Sequence, residues 1–191
     1  SECSEAFVKW KKIINSAYNS TFIPKIIIPR ADRTKHVVYY NPHEVEITLT
    51  TNFLYCNNLQ NYHHEIDEES QYKFIAAFLI SVFGQIQFEL NANNQEGCRK
   101  LEGFQLMKFK IPNLTMLRES EVTSVLCELD RLDSLGVPIS GAEGLRSPRR
   151  ELDLSIARII YSRANLGFNT LGEMVDYFEL FLADLVEDRS I

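Results

Sequence analysis

Hydrophobic residues recur along this chain in two rhythms, and the change from one to the other divides it. "SEAFVKWKKIINSAYN" sets Phe7, Trp10, Ile13, Ile14 and Ala17 at helical spacing with lysines opposite, which predicts a short amphipathic helix. "FIPKIIIPR" places a β-branched run between Pro24 and Pro29 and reads as a short strand. "KHVVYY" and "VEITLTT" predict two further strands. In the second, Val45, Ile47 and Leu49 alternate with Glu46, Thr48 and Thr50, which leaves one face wet. "FLYC" continues the sheet. From about Glu68 to Leu90 the rhythm becomes helical through Phe74, Ile75, Phe78, Leu79, Val82, Phe83 and Ile86. Apolar Ala76, Ala77 and Ile80 on the remaining faces predict deep burial, and Gly84 marks either close packing or a break. "NANNQEG" follows as a polar loop, "GFQLMKF" as a helical turn and "FKIP" as a short strand closed by Pro112.

Past Leu114 the pattern is helical. "SEVTSVLCELDRLDSLG" runs through Val122, Val125, Leu126, Leu129 and Leu132 until Gly136 and Pro138 stop it. "GVPISGAEGLRSPRR" is loop-like, and "ELDLSIARIIYSRA" and "TLGEMVDYFELFLADLVED" are two more helices, the last through Leu171, Val175, Phe178, Leu182 and Leu185. The expected architecture is α+β. A small mixed or antiparallel sheet with packed helices occupies residues 1–118, and a helical subdomain packed on it occupies residues 119–191.

Composition adds limits to this picture. A chain of 191 residues, 45% hydrophobic and 24% charged, buries an ordinary globular core. The apolar run from Phe74 to Phe83 is interrupted by Ser81 and is too short to span a bilayer, so no membrane partner is expected. Cys3, Cys56, Cys98 and Cys127 have no paired spacing, which fits reduced thiols in a cytoplasm better than disulfides or a zinc site.

The net charge of −6 argues against nucleic acid at first sight, because non-specific affinity comes from neutralising phosphates. The charge is unevenly placed, however. Residues 25–35 hold Lys25, Arg30, Arg33 and Lys35 against Asp32, and residues 99–118 hold Arg99, Lys100, Lys108, Lys110 and Arg118 against Glu102. A third cluster sets Arg146, Arg149, Arg150, Arg158 and Arg163 against Glu151 and Asp153. On charge alone these windows read equally as solvated faces or as patches for a polyanion.

Catalytic constellations are hard to find. "NPHE", Asn41 to Glu44, has the first residues of the D/N/S-P-P-aromatic motif of amino-methylating DNA enzymes, but His43 and Glu44 stand where the second proline and the stacking aromatic are needed. Lying between two strands, Asn-Pro reads as a turn. No G-x-G occurs, so S-adenosylmethionine has no usual cofactor loop here. "YHHEIDEE" is a local acidic cluster suited to a helix start, not ligands converging from separate elements on a metal. "HEVEIT" lacks the lysine of a nuclease site, and no triad is visible. The expectation for this chain is therefore no catalytic, cofactor or metal residues.

What remains is "NANNQEG". Asn91, Asn93, Asn94 and Gln95 each carry a donor and an acceptor suited to adenine edges or phosphate oxygens, and Gly97 permits close backbone approach. A polar surface loop has the same composition. The order of parts adds to this. "FLISVFGQIQFELNANNQEGCRKLEGFQLMKFKIP", Phe78 to Pro112, resembles a stretch of the adenine-specific DNA methyltransferases of type I and type II restriction-modification systems, methylase-nuclease fusions included. There a helix ending in a Leu-Asn-Ser-Ser type run leads into a glycine-rich loop, then Lys-Leu, a short helix and an Ile-Pro. "PKIIIPRADRTKHVVYY", "TTNFLY" and "RRELDLSIARIIY" are similar to the opening and closing segments of the same region, so the resemblance spans roughly residues 22–188. The loop departs from that pattern in having one glycine, with amides in place of the others.

The resemblance implies a target-recognition domain. It would close one wall of a cleft on double-stranded DNA, while a separate methyltransferase domain of the parent enzyme binds S-adenosylmethionine and flips the adenine. Expected DNA contacts are Arg30, Arg33, Lys35, Asn93, Asn94, Gln95, Arg99, Lys100 and Lys108, with amides on base edges and cations mainly on phosphates. The competing expectation is a module whose C-terminal helices dock another subunit through Phe178, Phe181 and Leu185. The two part on geometry: windows 25–35 and 91–110 on one face favour DNA, and an exposed apolar helical patch favours a protein partner.

Overall fold

The computed structural model describes residues 21–32, 36–41, 43, 47–48, 53–56, 63–95, 98–134, 148–164 and 166–189. The helix expected over residues 4–19 and the loop over 136–147 lie outside these, as do Arg33, Lys35, Val45, Leu49, Gly97 and Arg146.

The fold is α+β. Eight short strands, β1 (Thr21–Phe22), β2 (Ile26–Pro29), β3 (Ala31–Asp32), β4 (Tyr39–Tyr40), β5 (Ile47–Thr48), β6 (Phe53–Cys56), β7 (Asn93–Gln95) and β8 (Cys98–Lys100), form three small antiparallel sheets. β1 pairs with β5. β2 lies between β4 and β6, and β8 lies between β3 and β7. Ile26 and Ile28 alternate inward along β2 and are almost fully buried, as a half-buried strand requires. Only Tyr39–Tyr40 of the expected "KHVVYY" strand pairs. Asn41 closes that end as a structural residue, its backbone N–H donating to Lys25 O (3.0 Å) and its side chain to Pro24 O (3.0 Å).

The described residues also form six α-helices: α1 (Glu68–Ile80), α2 (Val82–Asn91), α3 (Gly103–Leu106), α4 (Glu119–Ser134), α5 (Arg150–Tyr161) and α6 (Leu171–Arg189). Packing runs in a circuit, α1 on α4, α4 on α5, α5 on α6 and α6 back on α2. One hydrophobic cluster extends from Ile26 through Phe74, Val82 and Val125 to Leu182, without a break at residue 118. Phe83 meets Phe178 edge-on at 5.3 Å between centroids, which commits Phe178 to the core. Among the described residues no single helix is long and apolar enough to cross a membrane.

"YHHEIDEE" is a helix entrance. Asp67 caps α1 by accepting from Ser70 N at 2.8 Å, and hydrogen bonding by the Ser70 side chain and backbone holds its carboxyl below the ordinary range. Glu68 and Glu69 sit in the positive first turn. Buried Gln71 braces the approach, donating to His63 O and Ile66 O and accepting from His63 N.

The single long helix expected from Glu68 to Leu90 is two helices, α1 and α2, bent by 64° at Ser81. A break inside a core exposes helix-end carbonyls and amides that must find partners. Here side chains supply them. His36 Nε2 donates to Leu79 O (3.0 Å), Gln85 Nε2 to Ile80 O (2.8 Å) and Ser81 Oγ to Phe78 O (2.6 Å). On the other side, Val82 N donates to the wholly buried Asp153 Oδ1 at 2.7 Å, and Arg149 Nε pairs with Asp153 Oδ2 at 2.9 Å. Burial pushes the Asp153 carboxyl above its ordinary range, with Arg149 pulling the other way. Gly84 serves close packing: a Cβ there would stand 2.4 Å from Phe78 O and 2.6 Å from Leu79 Cα.

Candidate functional site

The bend aims α2 at the three-stranded sheet formed by β3, β8 and β7. Asn91 Nδ2 donates to Gln87 O, Ala92 N closes the last turn on Phe88 O, and the chain enters β7 at Asn93. Within the expected "NANNQEG" loop, Asn91 thus ends α2 and Asn93–Gln95 form β7. Asn93, Asn94 and Gln95 of β7 stand opposite Lys100, Arg99 and Cys98 of β8. On the other edge, Ala31 and Asp32 of β3 stand opposite Lys100 and Arg99. Arg30 is the one residue between β2 and β3, at the seam of two sheets, and its carbonyl accepts from Leu101 N at 2.8 Å. The register therefore brings Arg30, at the seam, next to the β8 strand that carries Arg99 and Lys100.

Alternation along β8 gives its cations opposite fates. Lys100 is partly exposed. Arg99 is 4% exposed, its Nη1 bound to buried Glu89 Oε1 at 3.0 Å, its Nη2 to His36 Nδ1 at 2.8 Å, and its guanidinium over the Phe88 ring. Because Leu79 O can only accept, His36 carries its proton on Nε2 and offers Nδ1 as the acceptor for Arg99. The expectation that Arg99 meets phosphate is corrected accordingly: its charge is committed to the interior by Glu89.

The partly exposed side is organised by a residue that charge counting alone treats as a deduction. Glu102 receives Arg30 Nη2 on Oε2 and lies 3.8 Å from Lys100 Nζ through Oε1. Its backbone N–H donates to Gln105 Oε1 at 2.7 Å, and Gln105 Nε2 donates to Asn93 Oδ1 at 3.2 Å. Arg30, Lys100 and Asn93 are thus linked through Glu102 and Gln105. Glu102 followed three residues later by Gln105 at a helix start is the sequence signal that could have found this pair. Lys108 is exposed at the far end of α3, its ammonium 5.7 Å from the Phe104 centroid. Asn94 and Gln95 are placed by their backbone pairing.

"FKIP" does not pair as a strand. The Gln87 side chain takes the partner's place, accepting from Lys110 N (2.6 Å) and donating to Lys110 O (2.9 Å). The third basic window is largely used within the fold. Arg149 holds Asp153, Arg150 bridges Asp176 and Glu179 of α6, and Arg163 holds Glu121 of α4. Arg158 is exposed beside Arg118 in a polar cleft that Ser124, Ser155 and Ser162 also line. Among the described residues no group of His, Cys, Asp or Glu could hold a metal ion. Cys98 and Cys127 are free thiols.

Comparisons with known proteins agree with this architecture. No curated protein matches the chain. The crystal structure of the type IIG restriction endonuclease BpuSI is similar over 95% of this chain, with a TM-score of 0.67 and 25% identity. The chain spans 18% of the length of that enzyme. The family model "Restriction endonuclease BpuSI, specificity domain" matches residues 3–133, which include every strand, α1 to α3 and nearly all of α4. Residues 3–133 are more than half of the chain, and it belongs to the family of the restriction endonuclease BpuSI specificity domain.

Proposed function

We propose that this chain reads a double-stranded DNA target for an adenine-specific methyltransferase of a restriction-modification system, whose S-adenosylmethionine-binding domain, and nuclease where one is fused, belong to the same parent chain. The observation that carries the reading is the β3–β8–β7 register, which sets Arg30 and Lys100 from separate basic windows around one carboxylate with the exposed amide of Asn93 beside them. Membership in a specificity-domain family supports the same role. Arg30, Lys100 and Lys108, with Arg33 and Lys35, take phosphates, while Asn93, together with Asn94 and Gln95, takes base edges. The acidic body is tolerable if the catalytic domain shares the phosphate contacts. Adenine specificity rests on the order of segments between Phe78 and Pro112.

Salt dependence is the direct test. Lys100→Ala should weaken binding to all duplexes alike and reduce the slope of log K against log salt by about one. An unchanged slope in both Lys100→Ala and Arg30→Ala would remove this surface from the interface. Detection of N6-methyladenine in DNA treated with the complete gene product and S-adenosylmethionine tests the methyltransferase assignment, and methylation confined to cytosine rejects it. Phe178, Phe181 and Leu185, the residues of the docking reading, are partly buried against the core cluster, while Tyr177 and Leu180 of the same helix are exposed.

A further inference from the structure

We infer that Gln105 is a specificity-determining positioning residue: it fixes the Asn93 amide as a hydrogen-bond donor toward DNA, so the base contacted must present an acceptor. This deepens the recognition role proposed above and rests on it. An asparagine left to rotate offers both an oxygen and an NH2, and pairs bidentately with adenine. Asn93 is not left to rotate. The Glu102 N–H can only donate, so Gln105 turns Oε1 toward it at 2.7 Å, and the NH2 end of Gln105 is thereby directed to Asn93. That NH2 can only donate, so Asn93 presents Oδ1 to it at 3.2 Å. Gln105 is buried (5% exposed) and cannot swing away without leaving the Glu102 amide unanswered, whereas Asn93 is exposed. The Asn93 NH2 is the end without a partner among the described residues. A donor at that point donates to guanine O6 or N7, adenine N7 or thymine O4 in the major groove, and rejects cytosine, which offers only its N4 donor.

The polarity can be inverted without changing the shape of the site. In Gln105→Glu one carboxylate oxygen still accepts from Glu102 N–H, but the other can only accept from Asn93, which then turns its oxygen outward. Asn93→Asp keeps the inner oxygen and replaces the outer NH2 by an acceptor. Selection of bound duplexes from a random-sequence library by this chain within the complete gene product, and by its Asn93→Ala, Asn93→Asp and Gln105→Glu variants, reads the outcome position by position. Asn93→Ala should relax a single position. Both Gln105→Glu and Asn93→Asp should turn that same position toward cytosine or the adenine N6 edge, by about tenfold, the scale of one base contact. If Asn93→Ala relaxes a position and Gln105→Glu leaves it as in the unaltered chain, or relaxes it without inversion while melting normally, the orienting role of Gln105 is overturned and DNA reading by Asn93 stands. Should Gln105→Glu fail to fold, Asn93→Asp decides: absence of inversion there overturns the donor assignment. If the unaltered chain selects no sequence, the recognition role itself fails.

Discussion

Arg99 of β8 and Arg30 at the adjoining seam each face a glutamate, and burial gives them different tasks. The Arg99–Glu89 pair is nearly sealed, at 4% and 6% side-chain exposure, whereas Arg30 and Glu102 retain 32% and 24%. A sealed pair has no water to turn to when one partner leaves, so it serves as an internal strut. A half-wet pair is worth little to stability and can exchange its carboxylate for another anion. The lesson is that a basic window in sequence holds cations of both kinds, and the strand period sorts them.

The largest expected effect breaks the sealed pair. Arg99→Ala should cost about 3–5 kcal/mol of unfolding free energy by chemical denaturation, because it leaves Glu89 and the His36 acceptor buried. Arg99→Leu combined with Glu89→Leu should recover most of the loss. A loss under about 1 kcal/mol for Arg99→Ala would place it with Arg30. Next comes the bend that supports both. Gly84→Ala forces a methyl onto the Phe78 and Leu79 backbone and should destabilise by about 1–3 kcal/mol, read as a lowered Tm.

At the rim the effects shift from stability to binding. Glu102→Gln should change unfolding free energy by about 1 kcal/mol or less, yet tighten non-specific duplex binding several-fold by freeing Arg30 and Lys100 from a competing anion. Weaker binding would show that Glu102 arranges the cations more than it restrains them. The smallest effect is acid-sensitive. The Arg163 hydrogen bond holds the Glu121 carboxyl below its ordinary value of 4.5. Its stabilisation is fully present above that pH and is lost as pH falls through the lower folded value. The gap between the parent chain and Glu121→Gln in denaturant titrations, below about 1 kcal/mol at pH 7, should therefore narrow as pH falls below 4.5.

Much of this arrangement was legible in the chain. The β-branched run between Pro24 and Pro29, the helical rhythm from Glu68 and the amphipathic run from Ser120 all mark elements at their observed places, since each follows from local composition and spacing. The bend at Ser81 was not, because its partners His36 and Asp153 are remote in sequence, and neither reads as a helix cap without tertiary contact. "FKIP" has the composition of a strand but meets the Gln87 amide instead of a neighbour. At the rim, Arg30, Lys100 and Asn93 could be singled out by residue type. The inward turn of Arg99 needed the register of β8, and the oxygen-to-amide order from Glu102 to Asn93 needed coordinates.

The corner at Ser81 also orders events in time. Its polar groups are answered by residues 36 and 153, which lie 43 and 71 positions away from their partners, so the bend costs buried unpaired carbonyls and amides until both have arrived. Early on, therefore, the segment gains nothing by turning, and the hairpin beyond it has no fixed direction. Folding kinetics of Asp153→Asn should show the lost stability almost entirely as faster unfolding, with refolding left nearly as it was. A matching slowdown in refolding would mean that the corner is built first.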